Sequence, residues 1–155
     1  MGESLEVCFL EAILRDKKNG QLGDLPVAYS ELTERVSADI ELREPLALVD
    51  LRGNNLIKMG VPTDAVRASS HKLGQRWSLA FWSHDESPDG LIYPSRLNEE
   101  TNIALYHRAI KKLVATRIRP LLECGGELAT IIRYRGILPP SVAVRDKNNA
   151  VEYLV

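Results

Sequence analysis

At 155 residues, with 45% apolar and 26% charged residues, the chain has the size and composition of one globular domain with a sizeable core. Its 20 basic and 21 acidic residues leave a net charge of −1, which removes any global electrostatic case for nucleic acid or an anionic membrane surface. The two cysteines form no CxxC or Cys/His cluster, no apolar run approaches the roughly 20 residues of a membrane span, and no signal-peptide pattern opens the chain, so Cys8 and Cys124 read as reduced, buried residues of a cytoplasmic protein without zinc.

The first predicted element is a helix over 5–15. Ser4 is its N-cap, and Glu6 suits the positive end of its dipole. Leu5, Cys8, Phe9, Ala12 and Ile13 form a buried face, and Val7, Leu10 and Leu14 make the rest apolar too. Glu11 is the only charged residue from Val7 to Leu14. A buried carboxylate is costly unless paired or hydrogen-bonded. Glu11 therefore either pairs with Arg15 one turn on, or points into a cleft where chemistry needs it.

Residues 16–24 read as a polar loop, 28–35 as a short helix, and 38–42 and 46–51 as strands divided by Glu44-Pro45. Asp50-Leu51-Arg52 suits a strand-end ion pair, with a ligand contact as the alternative. A short helix over 63–69, capped by Thr63 or Asp64, precedes a longer one over 70–83. Leu73, Trp77, Ala80 and Phe81 share a face of the longer helix, which fits core packing better than a ligand-stacking shelf.

The stretch Asp89-Gly90-Leu91-Ile92-Tyr93-Pro94-Ser95-Arg96 is the most informative. Asp-Gly signals a turn and Leu91-Ile92-Tyr93 a strand, which Pro94 ends because it cannot donate to a ladder. Ser95 and Arg96 then sit at a strand end, either as a plain turn or as ligand contacts. No GxSxG elbow or partner histidine makes Ser95 a nucleophile. Strands follow over 102–106 and 113–121. The basic residues between His107 and Arg119 suit a solvated face or an acidic partner. Gly125-Gly126 breaks the chain before a helix over 127–135, and a polar tail follows Pro139-Pro140. His71, His84 and His107 are too scattered for a metal site. Without a βαβ repeat, GxGxxG or Walker A motif, the class is α+β with a mixed sheet.

The ordered set Cys8 to Asp16, Pro45 to Leu51, Trp77, Asp89 to Arg96 and Asn102 to Tyr106 resembles the RES domain family. That family is named for an arginine, a glutamate and a serine. It is the toxin half of bacterial pairs whose antitoxin carries an Xre-type helix-turn-helix. The resemblance implies an ADP-ribosyltransferase-like fold, a mixed split β-sheet with surrounding helices. It implies a RES-like NAD-binding domain over 1–138 and a C-terminal tail over 139–155. It implies NAD+ as substrate, with the nicotinamide–ribose bond broken by water, phosphate or a protein acceptor, and no metal. Glu11 and Ser95 match the family's glutamate and serine, and Tyr93 and Arg96 flank that serine as cofactor contacts. The implied partner is a cognate Xre-type antitoxin, without direct nucleic-acid or membrane contact, and a homo-oligomer is left open. In the family a segment with the arginine of the name and a tyrosine precedes the glutamate helix. Glu11 lies ten residues after Met1, so the resemblance implies an N-terminally short member. Two functions follow: an NAD+-consuming toxin, or a homologue that only binds an antitoxin.

Overall fold

The computed structural model describes residues 1–15, 17, 25–68, 71–134, 137–138, 144–145 and 151–152. Ser4 caps helix α1 (Leu5–Phe9), its Oγ accepting from Val7 N at 3.1 Å. The helix continues as a π-helix over Leu10–Leu14. The wider turn moves the buried face by about one residue. Val7, Phe9, Leu10, Ile13 and Leu14 are buried, while Ala12, assigned inward by a 3.6-residue period, is exposed. The loop expected over 16–24 lies almost wholly outside the described residues.

After β1 (Leu25–Pro26) come α2 (Tyr29–Thr33), β2 (Val36–Leu42) and β3 (Leu48–Asp50). Three helices follow: α3 (Asn55–Lys58), α4 (Asp64–Arg67) and α5 (His71–Trp82). Then come β4 (Gly90–Pro94), β5 (Thr101–Leu105), a 3-10 helix (His107–Lys112), β6 (Leu113–Pro120), a second 3-10 helix (Leu121–Cys124) and α6 (Gly125–Tyr134). Short pieces β7 (Ile137–Leu138), β8 (Val144–Arg145) and β9 (Val151–Glu152) close the order.

The fold is α+β, and its strands are divided among separate ladders. A three-stranded sheet β3-β4-β5 is mixed: β3 and β4 are parallel, β4 and β5 antiparallel. Parallel neighbours need a long crossover, and α3, α4 and α5 supply it. β2 pairs antiparallel with β6, β1 parallel with β7, and β8 antiparallel with β9. Residues 1–3 run along the outer edge of β5. Ile103 N donates to Met1 O at 2.9 Å, and Gly2 bridges Asn102. That edge contact leads into Ser4 and lays the first helix across the end of β5.

Two apolar clusters flank the sheet. Phe9, Leu10, Ile13, Leu14, Leu128 and Ile131 dominate one; Leu51, Leu56, Val61 and Leu91 form the other, with Trp77, Phe81 and Tyr93 packed on it. Cys124 is buried and Cys8 half-buried, and both are free thiols.

The Asp89-Gly90 pair is a strand entry where a turn is expected. A Cβ on Gly90 would lie 2.3 Å from Ala104 O, so the close approach of β5 excludes a side chain there. Gly125 and Gly126 likewise open α6 without breaking the chain. Pro94 does end β4, and Asp50 and Arg52 do pair, with Arg52 Nε 2.9 Å from Asp50 Oδ1.

Asp89 is buried at 4% exposure and accepts from Lys112 Nζ at 2.9 Å and Ala47 N at 2.8 Å. The Lys112 hydrogen bond first, then the Ala47 N–H, hold its carboxyl below the usual range. A carboxyl depressed by folding contributes stability above its unfolded pKa, near ~3.9. That contribution is lost as pH falls through the lower folded value. Asp89→Asn is expected to flatten the acid-side fall of the urea midpoint below about pH 4. Parallel loss in wild type and variant would show that the pair carries no such contribution.

The basic stretch is mostly engaged within the chain. Lys112 pairs with Asp89, Arg119 with Glu127 at 3.5 Å, and the Arg108 guanidinium lies 5.3 Å from the Trp82 ring centroid.

Candidate active site

Glu11 sits in the π-helical segment, in the expanded kind of turn that often marks functional positions. Its carboxylate is 18% exposed and fully engaged. Ser95 Oγ donates to Oε1 at 2.9 Å, Asn102 Nδ2 donates to Oε1 at 3.0 Å, and Arg15 Nη1 lies 3.1 Å from Oε2. The pairing with Arg15 is present, and Glu11 also joins a long-range polar cluster with Ser95 and Asn102.

The strand end after Pro94 creates the Ser95 side of that cluster. Ser95 is 1% exposed. Its N–H donates to Glu100 O at 2.6 Å, and its Oγ accepts from Leu97 N at 3.1 Å while donating to Glu11. The hydroxyl thus locks its own turn and orients the carboxylate. Its proton is committed to the Glu11 carboxylate, an arrangement that suits a positioning role.

Asn102 is the functional candidate that sequence reading passes over. It is 4% exposed and lies opposite Tyr93 in the β4–β5 register. A strand asparagine among apolar residues is a buried polar group that requires a partner, and that was its available signal.

Through Arg15 the cluster reaches a cavity of about 240 Å³ between the sheet and α4 and α5, while Glu11, Ser95 and Asn102 are not among its lining residues. Arg15, Tyr93 and His71 line its polar end, and Trp77, Phe81 and Leu91 its apolar wall. The Trp77 and Phe81 rings meet at 5.8 Å with planes inclined by 36°, so they serve as core and as cavity wall together. Gly74 lets α5 approach α4, since a Cβ there would stand 2.6 Å from Ala65 O. Burial, and secondarily the Glu11 charge, push the Tyr93 phenol above its ordinary range. Among the described residues that hydroxyl has no hydrogen-bond partner.

Of the four residues singled out beforehand, Glu11, Ser95 and Tyr93 converge. Arg96 does not. It lies half-buried in the turn after Ser95, does not line this cavity, and makes no hydrogen bond or ion pair among the described residues. The cation that reaches the site is Arg15. Among the described residues, no helix is long and apolar enough to cross a membrane.

Comparison with known proteins agrees with the ordered motifs. The RES domain matches residues 1–125. A protein of Sinorhizobium fredii described as "Probable toxin y4kH" is 47% identical over 119 residues, covering 77% of this chain and 94% of its own length. No solved structure matches. With the family match spanning most of the chain and this relative so similar, the chain belongs to the RES domain family.

Proposed function

We propose that this protein is a RES-type toxin that consumes NAD+ by cleaving the nicotinamide–ribose bond and is neutralised by a cognate Xre-type antitoxin. The observation that carries the reading is the 2.9 Å bond from Ser95 Oγ to Glu11 Oε1, which joins residues 84 apart around one fixed carboxylate whose Arg15 partner lines the cavity. The toxin role is further supported by the name of the Sinorhizobium fredii relative. An ADP-ribosyltransferase-like fold belongs to the same proposal.

The residues present suit such a substrate. Trp77 and Phe81 offer an aromatic wall, Arg15 a cation, and Tyr93 an unpaired hydroxyl. A cavity of about 240 Å³ is below the roughly 300–1,000 Å³ of sites for drug-sized ligands, so it accepts one end of a dinucleotide. The C1′–N bond breaks with its electron pair leaving on nicotinamide, which departs neutral. The ribose becomes oxocarbenium-like, with positive charge at C1′ and the ring oxygen. Glu11 stabilises that charge and orients the ribose hydroxyls or the incoming nucleophile. Ser95 and Asn102 hold Glu11 in place, so no reorganisation is needed as charge develops. Water, phosphate or a protein acceptor then bonds to C1′ and loses a proton. Tyr93 donates to the ligand. Arg96, which does not line this cavity, serves a more distant part of the dinucleotide or the partner.

The test is release of nicotinamide from NAD+ by the purified chain, with Glu11→Gln alongside. A second reading has its own support: every oxygen of Glu11 already has a partner, as in a purely structural polar cluster. It makes the chain an antitoxin-binding protein without turnover. A stable complex with the neighbouring helix-turn-helix protein, and no nicotinamide release from the wild type, would establish it.

Ser95→Ala separates positioning from structure. It orphans Leu97 N and removes one of the two donors on Oε1. Stability is expected to fall by about 1–3 kcal/mol in chemical denaturation. Release should fall in kcat, less than in Glu11→Gln, with KM little changed. A KM effect alone would make Ser95 a plain binding group.

A further inference from the structure

We propose that Arg15 and His71 form a seat for a phosphoryl group at the polar end of the cavity, and that filling it draws Arg15 off Glu11. The inference rests on the dinucleotide reading above. Arg15 Nη2 lies 3.3 Å from His71 Nδ1, across 56 residues of sequence, while Nη1 pairs with Glu11 Oε2 at 3.1 Å. A guanidinium only donates, so Nδ1 accepts here and the imidazole proton sits on Nε2. A strong cationic donor is thus spent on a ring nitrogen at an accessible position, where the net gain is small. An anion in place of this contact would accept charge-assisted bonds from Arg15, and a further bond from His71 once a proton is carried on Nδ1.

The surroundings favour that occupant. Among the described residues that line the cavity none is an Asp or Glu, so Glu11 approaches it only through Arg15. His71 opens the 12-residue α5, so the positive end of that helix dipole meets the same corner. The apolar remainder, with Trp77, Phe81 and Leu91, suits the ring of the same ligand. The competing charge is Glu11, and the structure gives it independent support. Its Oε1 stays on Ser95 and Asn102 when Arg15 departs. Oε2, released from Arg15, is then without its cation. Arrival of the phosphoryl group and unmasking of the carboxylate become one event.

The test compares AMP with adenosine by calorimetry on the full chain. They differ only in the phosphoryl group. AMP is expected to bind about tenfold or more tightly than adenosine, the worth of one charge-assisted hydrogen bond. In Arg15→Met and in His71→Ala that preference should shrink to within about twofold, and Arg15→Lys should keep part of it. Far-UV circular dichroism checks that each variant is folded. Equal binding of AMP and adenosine by the wild type, or an undiminished preference in His71→Ala, overturns the seat. The underlying reading is tested apart from it. Nicotinamide release without AMP preference removes the seat and leaves the chemistry. AMP preference lost in both variants, with no nicotinamide release, supports the seat and removes only the cleavage.

Discussion

Glu11→Gln is expected to slow nicotinamide release by about 10²–10³-fold, or about 3–4 kcal/mol of transition-state stabilisation. The substitution preserves shape. The remaining amide oxygen can still accept from Ser95 Oγ and Asn102 Nδ2, the two bonds that tie the first helix to β4 and β5. What disappears is the negative charge proposed to stabilise the ribose, together with the Arg15 ion pair. That pair is an i,i+4 contact with Arg15 32% exposed, worth only a few tenths of a kcal/mol. Stability should therefore change by about 1 kcal/mol or less while kcat collapses. The contrast is what separates a catalytic carboxylate from a structural one. A variant that unfolds early and keeps its turnover per folded molecule would assign Glu11 to the scaffold.

Gly90→Ala is expected to have the largest effect on stability, because the obstacle is backbone. The new methyl would stand 2.3 Å from Ala104 O and 3.0 Å from Leu105 Cδ2. A side-chain end can rotate away, but a carbonyl in a paired strand cannot. Relief requires β5 to move from β4, which weakens the ladder that sets Tyr93 against Asn102. Overpacking in a core typically costs 1–3 kcal/mol, and a rigid neighbour puts this site at about 3 kcal/mol or above. For a chain of this size that corresponds to a melting temperature lower by about 6–12 °C. Melting within about 2 °C of the wild type would mean that the strands separate at little cost. Because Ser95 hangs from the end of β4, the variant should also lose part of its activity even where it remains folded.

Much of the scaffold was legible from local rules. Ser4 was readable as a cap because its side chain acts on an N–H three residues away. Pro94 was readable as a strand end because it lacks a donor. The ordered motifs from Cys8 to Tyr106 pointed to the family that the chain matches over residues 1–125. Less was legible wherever a neighbour distant in sequence intervenes. Asp89-Gly90 looks like a turn in isolation, yet the approach of Ala104 and the grip of Lys112 make it a strand entry. A fixed 3.6-residue period cannot register the π-helical step at Leu10–Leu14, which turns Leu10 and Leu14 inward.

Composition and pattern alone determined an α+β domain, a carboxylate out of place in an apolar helix, and a serine at the end of a strand. These are properties of single residues and their close neighbours, governed by burial cost, caps and ladder donors. The tertiary structure alone decided that Ser95 and Asn102 meet the same oxygen of Glu11, across 84 and 91 residues. It also decided that Arg15, and not Arg96, is the arginine that reaches the cavity. Such meetings depend on strand register and on the path of residues 1–3 along β5. Those are set by packing of the whole chain, and no local periodicity encodes them.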